Sequence, residues 1–241
     1  MSFFTTLTKD NLEHEDDRLG GGGGLLDTGI YSATIKLAYA GQSPNGARNV
    51  SLIFQMPNEN EFRETIYITN RKGEHFYVRD GKQMPLPGFS MIDSLCTIAT
   101  EKPLAEQETS ERVVKLYDFE QKAEVNTKVT VLIDLLGKSV SLAILRVLEN
   151  KSAKDSNNVY QPTAETRELN TIDKVFHTET KLTVSEARKG LEAGEFWDKW
   201  EAKNAGKTRD SRKIKGDGVG NASAPQQASQ VLAPKKSLFS K

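Results

Sequence analysis

The chain has 241 residues, of which 37% are hydrophobic and 27% are charged, a balance that allows one sizeable domain with polar appendages. No stretch approaches the roughly 18 uninterrupted apolar residues of a membrane-spanning helix. Residues 1–6 have neither the basic start nor the long apolar run of a secretory signal. The single cysteine, Cys96, excludes an intramolecular disulfide, so we expect a reducing, cytosolic compartment.

The net charge of zero conceals an uneven distribution along the chain. Residues 1–19 carry a net charge of −3, whereas residues 203–241 carry +7. A near-neutral body with a basic tail suits a protein that touches a polyanion locally, although a tail kept basic only for solubility has the same composition. The tail cations that could add non-specific phosphate contacts are Lys207, Arg209, Arg212, Lys213 and Lys215.

Both ends of the chain are predicted to lie outside the folded domain. Residues 1–28 are interpreted as a flexible acidic and glycine-rich tether, because the five consecutive glycines at 20–24 lose too much backbone entropy on ordering. That run lacks the lysine and the preceding strand of a phosphate-binding loop. Beyond residue 204 the chain is rich in Lys, Gly, Ala, Ser, Pro and Gln, so 205–241 is predicted to be a disordered basic tail.

Alternating apolar and polar residues predict three strands in the first part of the domain. In the first strand, over 29–40, Tyr31, Ile35 and Tyr39 share one face. Two further alternating runs, over 50–56 and 62–69, each follow a turn-rich segment. Three strands joined by short turns predict an antiparallel meander.

The segments after residue 69 predict a mixture of helices and strands. A long loop over 70–88 is expected to contain a small hairpin at Asp80 and Gly81. The later elements are a helix over 90–100, a strand over 113–119, a helical turn over 131–136, strands over 140–148 and 165–170, and a helix over 183–204. This order predicts a mainly β (α+β) fold over 29–204: an OB-like five-stranded antiparallel barrel with an inserted helix, a C-terminal helix and disordered tails.

The strongest chemical signal lies where the third strand runs into loop 70–88. Aromatic residues are interleaved there with cations, and single-stranded DNA needs both, because bases stack on rings while phosphates attract positive charge. The predicted DNA-binding residues are Lys36, Arg48, Arg63, Tyr67, Arg71, Lys72, Phe76, Tyr77, Arg79 and Lys82. In the competing interpretation, the rings at 76 and 77 pack the base of the loop and the cations only solvate it.

Two other aromatic groups have separate interpretations. Phe196, Trp197 and Trp200 lie on the last predicted helix at a spacing that usually docks on a core, although a stacking platform would have the same spacing. The C-terminal peptide has two apolar residues flanked by lysines, which is typical of a docking peptide, and an inert chain end is the alternative. The predicted partner-binding residues are Lys235, Lys236, Leu238 and Phe239.

No catalytic, metal or cofactor site is predicted. His14, His75 and His177 are scattered and have no partner at the spacing of a metal site or a catalytic triad. Cys96 lies on the apolar stripe of a predicted helix, which favours packing over reactivity. The chain is therefore interpreted as non-enzymatic. The remaining alternative is a nuclease or other DNA enzyme whose metal-binding carboxylates are brought together by the fold, and activity with added magnesium would reveal it.

Three segments of the chain resemble single-stranded-DNA-binding proteins of lytic bacteriophages: residues 29–138, the run 66–73 within them, and the ending 235–239. The likeness covers about residues 29–204 and the last seven. It implies an OB-fold protein that coats single strands in phage replication and recombination, and that acts on promoters in transcription, in the host cell cytoplasm. Many such proteins end in an acidic tail, whereas this tail is basic, so competition between tail and DNA is not carried over.

The sequence thus predicts a non-enzymatic, largely sequence-independent single-stranded-DNA-binding protein without a membrane partner. Its tail is expected to bind replication proteins or an RNA polymerase. The alternative function is a protein-interaction or transcription cofactor that acts through this tail, with the β domain as a scaffold. Deleting residues 230–241 separates the two, because DNA binding should survive the deletion only if the domain itself binds DNA.

Overall fold

The structure, a computed structural model, describes residues 24–57, 59–118, 121–155 and 160–213. Most of the predicted tether and most of the predicted basic tail lie outside these ranges. The predicted partner-binding residues Lys235, Lys236, Leu238 and Phe239 lie outside them as well. Within the ranges, no helix is both long enough and apolar enough to cross a membrane.

Ten strands and three α-helices make up the described part of the chain. The strands are β1 (Gly29–Gln42), β2 (Arg48–Gln55), β3 (Glu61–Tyr67), β4 (Phe76–Arg79), β5 (Lys82–Pro85), β6 (Thr109–Asp118), β7 (Ala123–Leu132), β8 (Ser139–Lys154), β9 (Tyr160–Phe176) and β10 (Thr208–Asp210). The helices are α1 (Pro87–Thr100), α2 (Val184–Arg188) and α3 (Phe196–Asn204), and 3-10 turns lie at Leu104–Glu106 and Ile133–Leu135. The predicted mainly β composition with an inserted helix is confirmed.

Eight of the strands form one open sheet around β1. On one edge, β1 pairs with β2, and β2 with β3, which confirms the predicted meander. The other edge is shared, because β8 pairs with the first half of β1 while β7 pairs with Tyr39 and Ala40. β6 pairs with β7, β9 with β8, and β10 runs parallel to β8. β4 and β5 form a separate two-stranded sheet, so the hairpin predicted at Asp80 and Gly81 is confirmed.

The eight-stranded open sheet differs from the predicted five-stranded barrel. β7 was missed because its exposed positions carry Glu, Asn and Lys and its half-buried ones include Thr127, so the apolar signal is weak. β8 and β9 are much longer than the runs that predicted them, since their outer parts are solvent-exposed on both faces. The chain also stays on the sheet beyond residue 204, where β10 lies in the segment predicted to be disordered.

The main core lies between the inner face of the sheet and α1. Ile35, Leu52 and Phe54 of β1 and β2 are fully buried there, together with Leu95 and Cys96 of α1. Burial raises the pKa of the Cys96 thiol to about 12, so the thiol stays protonated at neutral pH. The prediction that this cysteine is packed is confirmed.

A second, smaller core lies under α3. Trp200 is 3% exposed and packs with Phe176 and Ala143, and Trp197 lies 5.1 Å from the ring of Phe176. The indole N–H of Trp200 donates to Asp173 at 2.7 Å, which satisfies its one polar group. Core docking is therefore the correct interpretation for Trp200 and Trp197, whereas Phe196 is 37% exposed.

The single helix predicted over 183–204 is divided into α2 and α3. Gly194 lies in the break, where an added Cβ would stand 1.9 Å from the carbonyl oxygen of Lys181. Glu186 joins the two pieces, because its carboxylate accepts from the backbone N–H groups of Thr183, Glu195 and Phe196 at 2.7 to 2.9 Å. One side chain thus satisfies donors at the starts of both helices.

Candidate nucleic-acid interface

The outer face of β1, β2 and β3 is the surface on which sequence-predicted site residues gather. In β2, Val50, Leu52 and Phe54 are buried in the core, so the residues between them point to the other side. The register pairs Ser51 with Thr65 and Ile53 with Arg63, which places alternate residues of β3 on that same outer side. We call this surface the outer face.

A β-bulge brings Lys36 onto the outer face. Ile35 pairs with Phe54 and Leu37 pairs with Ile53, so Lys36 is an extra residue in β1 that has no residue of β2 opposite it. Ile35 and Ala38 are both buried, and the two residues between them are turned outward. The bulge therefore adds a cation to the outer face without disturbing the core.

Glu61 fixes two of the predicted cations side by side. Its carboxylate lies 2.5 Å from Lys36 Nζ and 2.6 Å from Arg63 Nη2. The hydrogen bonds from Lys36 and then Arg63 lower the pKa of Glu61, and they outweigh the opposing effect of partial burial. Two cations share one carboxylate, so the cluster keeps one net positive charge at neutral pH.

Tyr67 presents its ring to solvent at the end of β3. The residue is 53% exposed and lies on the outer face, opposite Asn49 of β2. Its backbone is held closely, because a Cβ added to Gly88 at the start of α1 would stand 2.1 Å from the Tyr67 carbonyl oxygen. An exposed ring on a fixed backbone suits stacking, since little freedom is lost on binding.

A groove runs between the outer face and the β6–β7 hairpin. Its cavity of about 320 Å³ is lined by Tyr39, Ser51, Leu52, Ile53, Arg63, Glu64, Thr65, Leu116 and Tyr117. Tyr117 is 44% exposed and Tyr39 is half-buried, so the groove offers aromatic surface beside Arg63. Neither tyrosine is among the sequence-predicted binding residues.

The β4–β5 hairpin carries four of the predicted residues. Tyr77 and Arg79 share one face with Lys82, because Arg79 pairs with Lys82 and Tyr77 with Met84. Phe76 lies on the opposite face, half-buried at the base, where His75 contacts both its ring and that of Phe89. The packing interpretation is therefore correct for Phe76, whereas Tyr77 is 43% exposed.

The loop between β3 and β4 is stiffened by Asn70. The side-chain oxygen of Asn70 accepts from the backbone N–H groups of Lys72 and Glu74 at 2.9 and 3.0 Å. Arg71 and Lys72 are exposed at this turn, immediately beyond Tyr67. The loop thus holds two of the predicted cations next to the end of the outer face.

Arg48, like Phe76, does not join the exposed predicted residues. Because alternate residues of a strand lie on the same side of the sheet, Arg48 lies on the side of the buried Val50, which points away from the outer face. The backbone of Arg48 joins the start of β2 to the segment that follows β3: its N–H donates to Thr69 Oγ1 at 2.8 Å, and its carbonyl accepts from the Ile68 N–H. Strand alternation therefore places Arg48 on the opposite side of the sheet from Arg63 and Tyr67.

A larger cavity of about 630 Å³ lies on the other side of β3, between α1, β9 and α2. Glu64 borders it and joins β3 to β9, accepting from Thr171 Oγ1 at 2.6 Å and from the Ile172 N–H at 2.8 Å. Burial raises the pKa of Glu64, although the hydrogen bonds oppose the rise. This cavity contains none of the predicted DNA-binding residues.

Two of the four tail cations that the structure describes, Arg209 and Arg212, form ion pairs. Arg212 lies 2.9 Å from Asp210, and Arg209 lies 3.8 Å from Asp173.

In the part of the chain that the structure describes, no three His, Cys, Asp or Glu side chains lie close enough together to hold a metal ion.

Comparison with known proteins adds no assignment, because no protein-family model matches the chain and no curated protein matches it significantly.

Proposed function

We propose that the chain is a non-enzymatic protein that binds single-stranded DNA, largely without sequence preference, along the outer face of β1–β3. The observation that carries the proposal is the exposed ring of Tyr67 on the same face as the paired cations Lys36 and Arg63. Unpaired bases offer rings to stack on tyrosine, whereas the phosphates beside them are attracted to the cations. Duplex DNA keeps its bases stacked on one another, so it offers phosphates but no free base face for the ring.

The groove under the β6–β7 hairpin is further evidence that this surface binds DNA. Tyr39 and Tyr117 line it together with Arg63, so aromatic surface continues from Tyr67 across the sheet. A single strand bound here would meet both aromatic rings and positive charge.

We further propose that the fold is OB-like, with β6 and β7 as an insertion. β1, β2 and β3 are followed by α1 and then by β8 and β9, and β8 pairs with β1 and β9 with β8. Glu64 links β3 to β9 by side-chain hydrogen bonds at the place where a five-stranded barrel would close. OB domains bind oligonucleotides across their second and third strands, which correspond to the proposed surface.

The resemblance to phage single-stranded-DNA-binding proteins supports a role in DNA replication and recombination, and in transcription. In that role the protein would act in the host cell cytoplasm and need no cofactor. The C-terminal peptide with Leu238 and Phe239 would recruit a replication protein or an RNA polymerase. This part of the proposal rests on the sequence alone, since the peptide lies outside the described residues.

The proposal is tested by fluorescence anisotropy with a labelled oligo-dT. We expect binding that weakens as salt rises, and a duplex of the same length that competes poorly. Tyr67→Ala should weaken binding by about 5- to 150-fold, since one stacked base is worth roughly 1–3 kcal/mol.

The matched control is Tyr160→Ala. Tyr160 is 66% exposed and begins β9, away from the outer face, so its removal should leave affinity unchanged. Equal retention of single-stranded and duplex DNA, or equal losses in the two tyrosine variants, would refute the proposed surface.

A further inference from the structure

The outer edge of β6 is open for pairing. β6 pairs with β7 along its whole length on one side, and within the described ranges no strand pairs with its other side. An edge strand of this kind presents unpaired backbone N–H and C=O groups and is a template for another strand. The ten-residue length of β6 gives that template several hydrogen-bonding positions.

The residues of β6 are complementary to a second copy of the same strand. If two copies pair antiparallel with Val113 opposite Val113, Glu111 of each copy lies opposite Lys115 of the other. These three residues share one face of the strand by alternation, and all three are exposed. Val113, at the centre, is 67% exposed and so is available for contact with its counterpart.

We propose that the protein self-associates through antiparallel pairing of β6 with β6 of a second copy, about a two-fold axis at Val113. Such a contact is self-complementary, because each residue of one copy meets its symmetric counterpart in the other. Backbone hydrogen bonds and the central valine pair supply the attraction. The two Glu111–Lys115 contacts fix the register.

The charge pattern disfavours the neighbouring registers. Because the same strand edge pairs in both copies, only residues an even number apart can lie opposite each other, so the adjacent registers are centred on Arg112 or on Val114. Centring on Arg112 places two arginines opposite each other, and centring on Val114 places Lys115 opposite Val113 and removes both Glu111–Lys115 contacts. Within one copy, Glu111 already lies 2.6 Å from Lys128 of β7. Glu111 would then stand between two lysines, one from each copy, so its charge remains compensated.

Self-association is tested without DNA, by sedimentation velocity on the full chain over a range of micromolar concentrations. The wild type should form dimers. Glu111→Lys alone and Lys115→Glu alone should each weaken the dimer by at least about tenfold, because each places two like-charged pairs in the contact. Mixing the two variants should restore the dimer, since both lysines of one chain then lie opposite glutamates of the other.

A second pair of variants tests the dimer contact while Glu111 and Lys115 keep their charges. Val113→Asp places two carboxylates face to face at the axis and should abolish the dimer. Val78→Asp, at a residue that is 64% exposed on the β4–β5 hairpin, should not affect it. Because both valines are exposed, thermal unfolding should be nearly unchanged in both variants. A wild type that stays monomeric, or a mixture of charge variants that stays monomeric, overturns the inference, whatever the DNA titrations give.

Discussion

At the scale of single residues, Glu61 holds the proposed surface in its unbound state. Its carboxylate occupies Lys36 and Arg63, the same groups that a phosphate would contact. The phosphates of an incoming strand must therefore displace the Glu61 carboxylate, which lowers the affinity for DNA. In the unbound protein the same carboxylate holds the two cations in position. Both cations are more than half exposed, so each ion pair contributes only about 0–1 kcal/mol to stability.

Replacing this carboxylate should strengthen DNA binding. Glu61→Gln removes the competing negative charge, and we expect about threefold to tenfold tighter binding of oligo-dT at neutral pH. The control is Glu149→Gln, which breaks the pair with Arg167 on the β8–β9 hairpin and should leave affinity unchanged. Weaker binding by Glu61→Gln would contradict the account.

The same variant should lose stability in a pH-dependent way. The pKa of Glu61 is lowered in the fold, so its contribution is present above the unfolded-state value of about 4.3 and is lost as pH falls through the folded value. Denaturant titrations should therefore show a small stability deficit for Glu61→Gln at pH 7 that disappears in acid.

Glu64 should have the opposite pH dependence. Its pKa is raised, chiefly by burial, so the stability that it contributes is complete at low pH and declines as pH rises through the folded pKa. Glu64→Gln keeps both hydrogen bonds, because its oxygen can accept from Ile172 and its amide can donate to Thr171. Denaturant titrations should show that the variant gains stability relative to the wild type as pH rises from about 4 to 8.

The control for Glu64→Gln is Glu64→Leu. The leucine leaves the Ile172 N–H without its partner and should destabilise the protein by about 1–3 kcal/mol across the pH range. If the wild type and Glu64→Gln have parallel stability profiles, the raised pKa of Glu64 is not the source of the pH dependence.

At the scale of elements, the junction of β3 and α1 determines where Tyr67 lies. Gly88→Ala would force a Cβ to within 2.1 Å of the Tyr67 carbonyl oxygen, so the strand end or the helix must move. We expect the unfolding free energy to fall by about 1–3 kcal/mol, as for other overpacked sites. Binding of oligo-dT should weaken roughly tenfold, because the ring is displaced with its backbone.

Gly190→Ala is the matched control for this junction. Gly190 has φ of +74° and no atom within 4 Å of an added Cβ, so the cost of about 1–2 kcal/mol comes from the left-handed backbone alone. Its position between α2 and α3 is away from the outer face. DNA affinity should stay at the wild-type value, and an equal loss in both glycine variants would show that destabilisation, not the position of Tyr67, reduces binding.

The strand periodicity of β1 shows what the sequence could and could not reveal. Alternation correctly predicted the strand, but it placed Tyr39 on the same face as Ile35. The extra residue of the bulge at Lys36 moves the later residues of β1 to the opposite face from the one that alternation predicts. Ile35 is therefore buried, while Tyr39 lines the groove on the outer face. No local signal marks the bulge, because it is fixed by the register with β2.

At the scale of the whole molecule, the parts of the site that were missed come from distant pairings. β7 reaches the second half of β1 through the pairs Tyr39–Val131 and Ala40–Thr130, which brings the β6–β7 hairpin over the outer face. The ion pairs of Glu61 likewise depend on the meander register. The cluster of rings and cations at 63–82 was visible in the sequence because it is continuous along the chain.

The central claim is that a single strand lies along the outer face and stacks on its tyrosines. Photo-cross-linking with an oligo-dT that carries 5-iododeoxyuridine, followed by mass spectrometry of the peptides, tests this directly. We expect adducts on Tyr67 and on the groove tyrosines Tyr39 and Tyr117, and none on Tyr160, although Tyr160 is the more exposed ring. Adducts confined to Tyr160, or spread over all exposed tyrosines alike, would contradict the account.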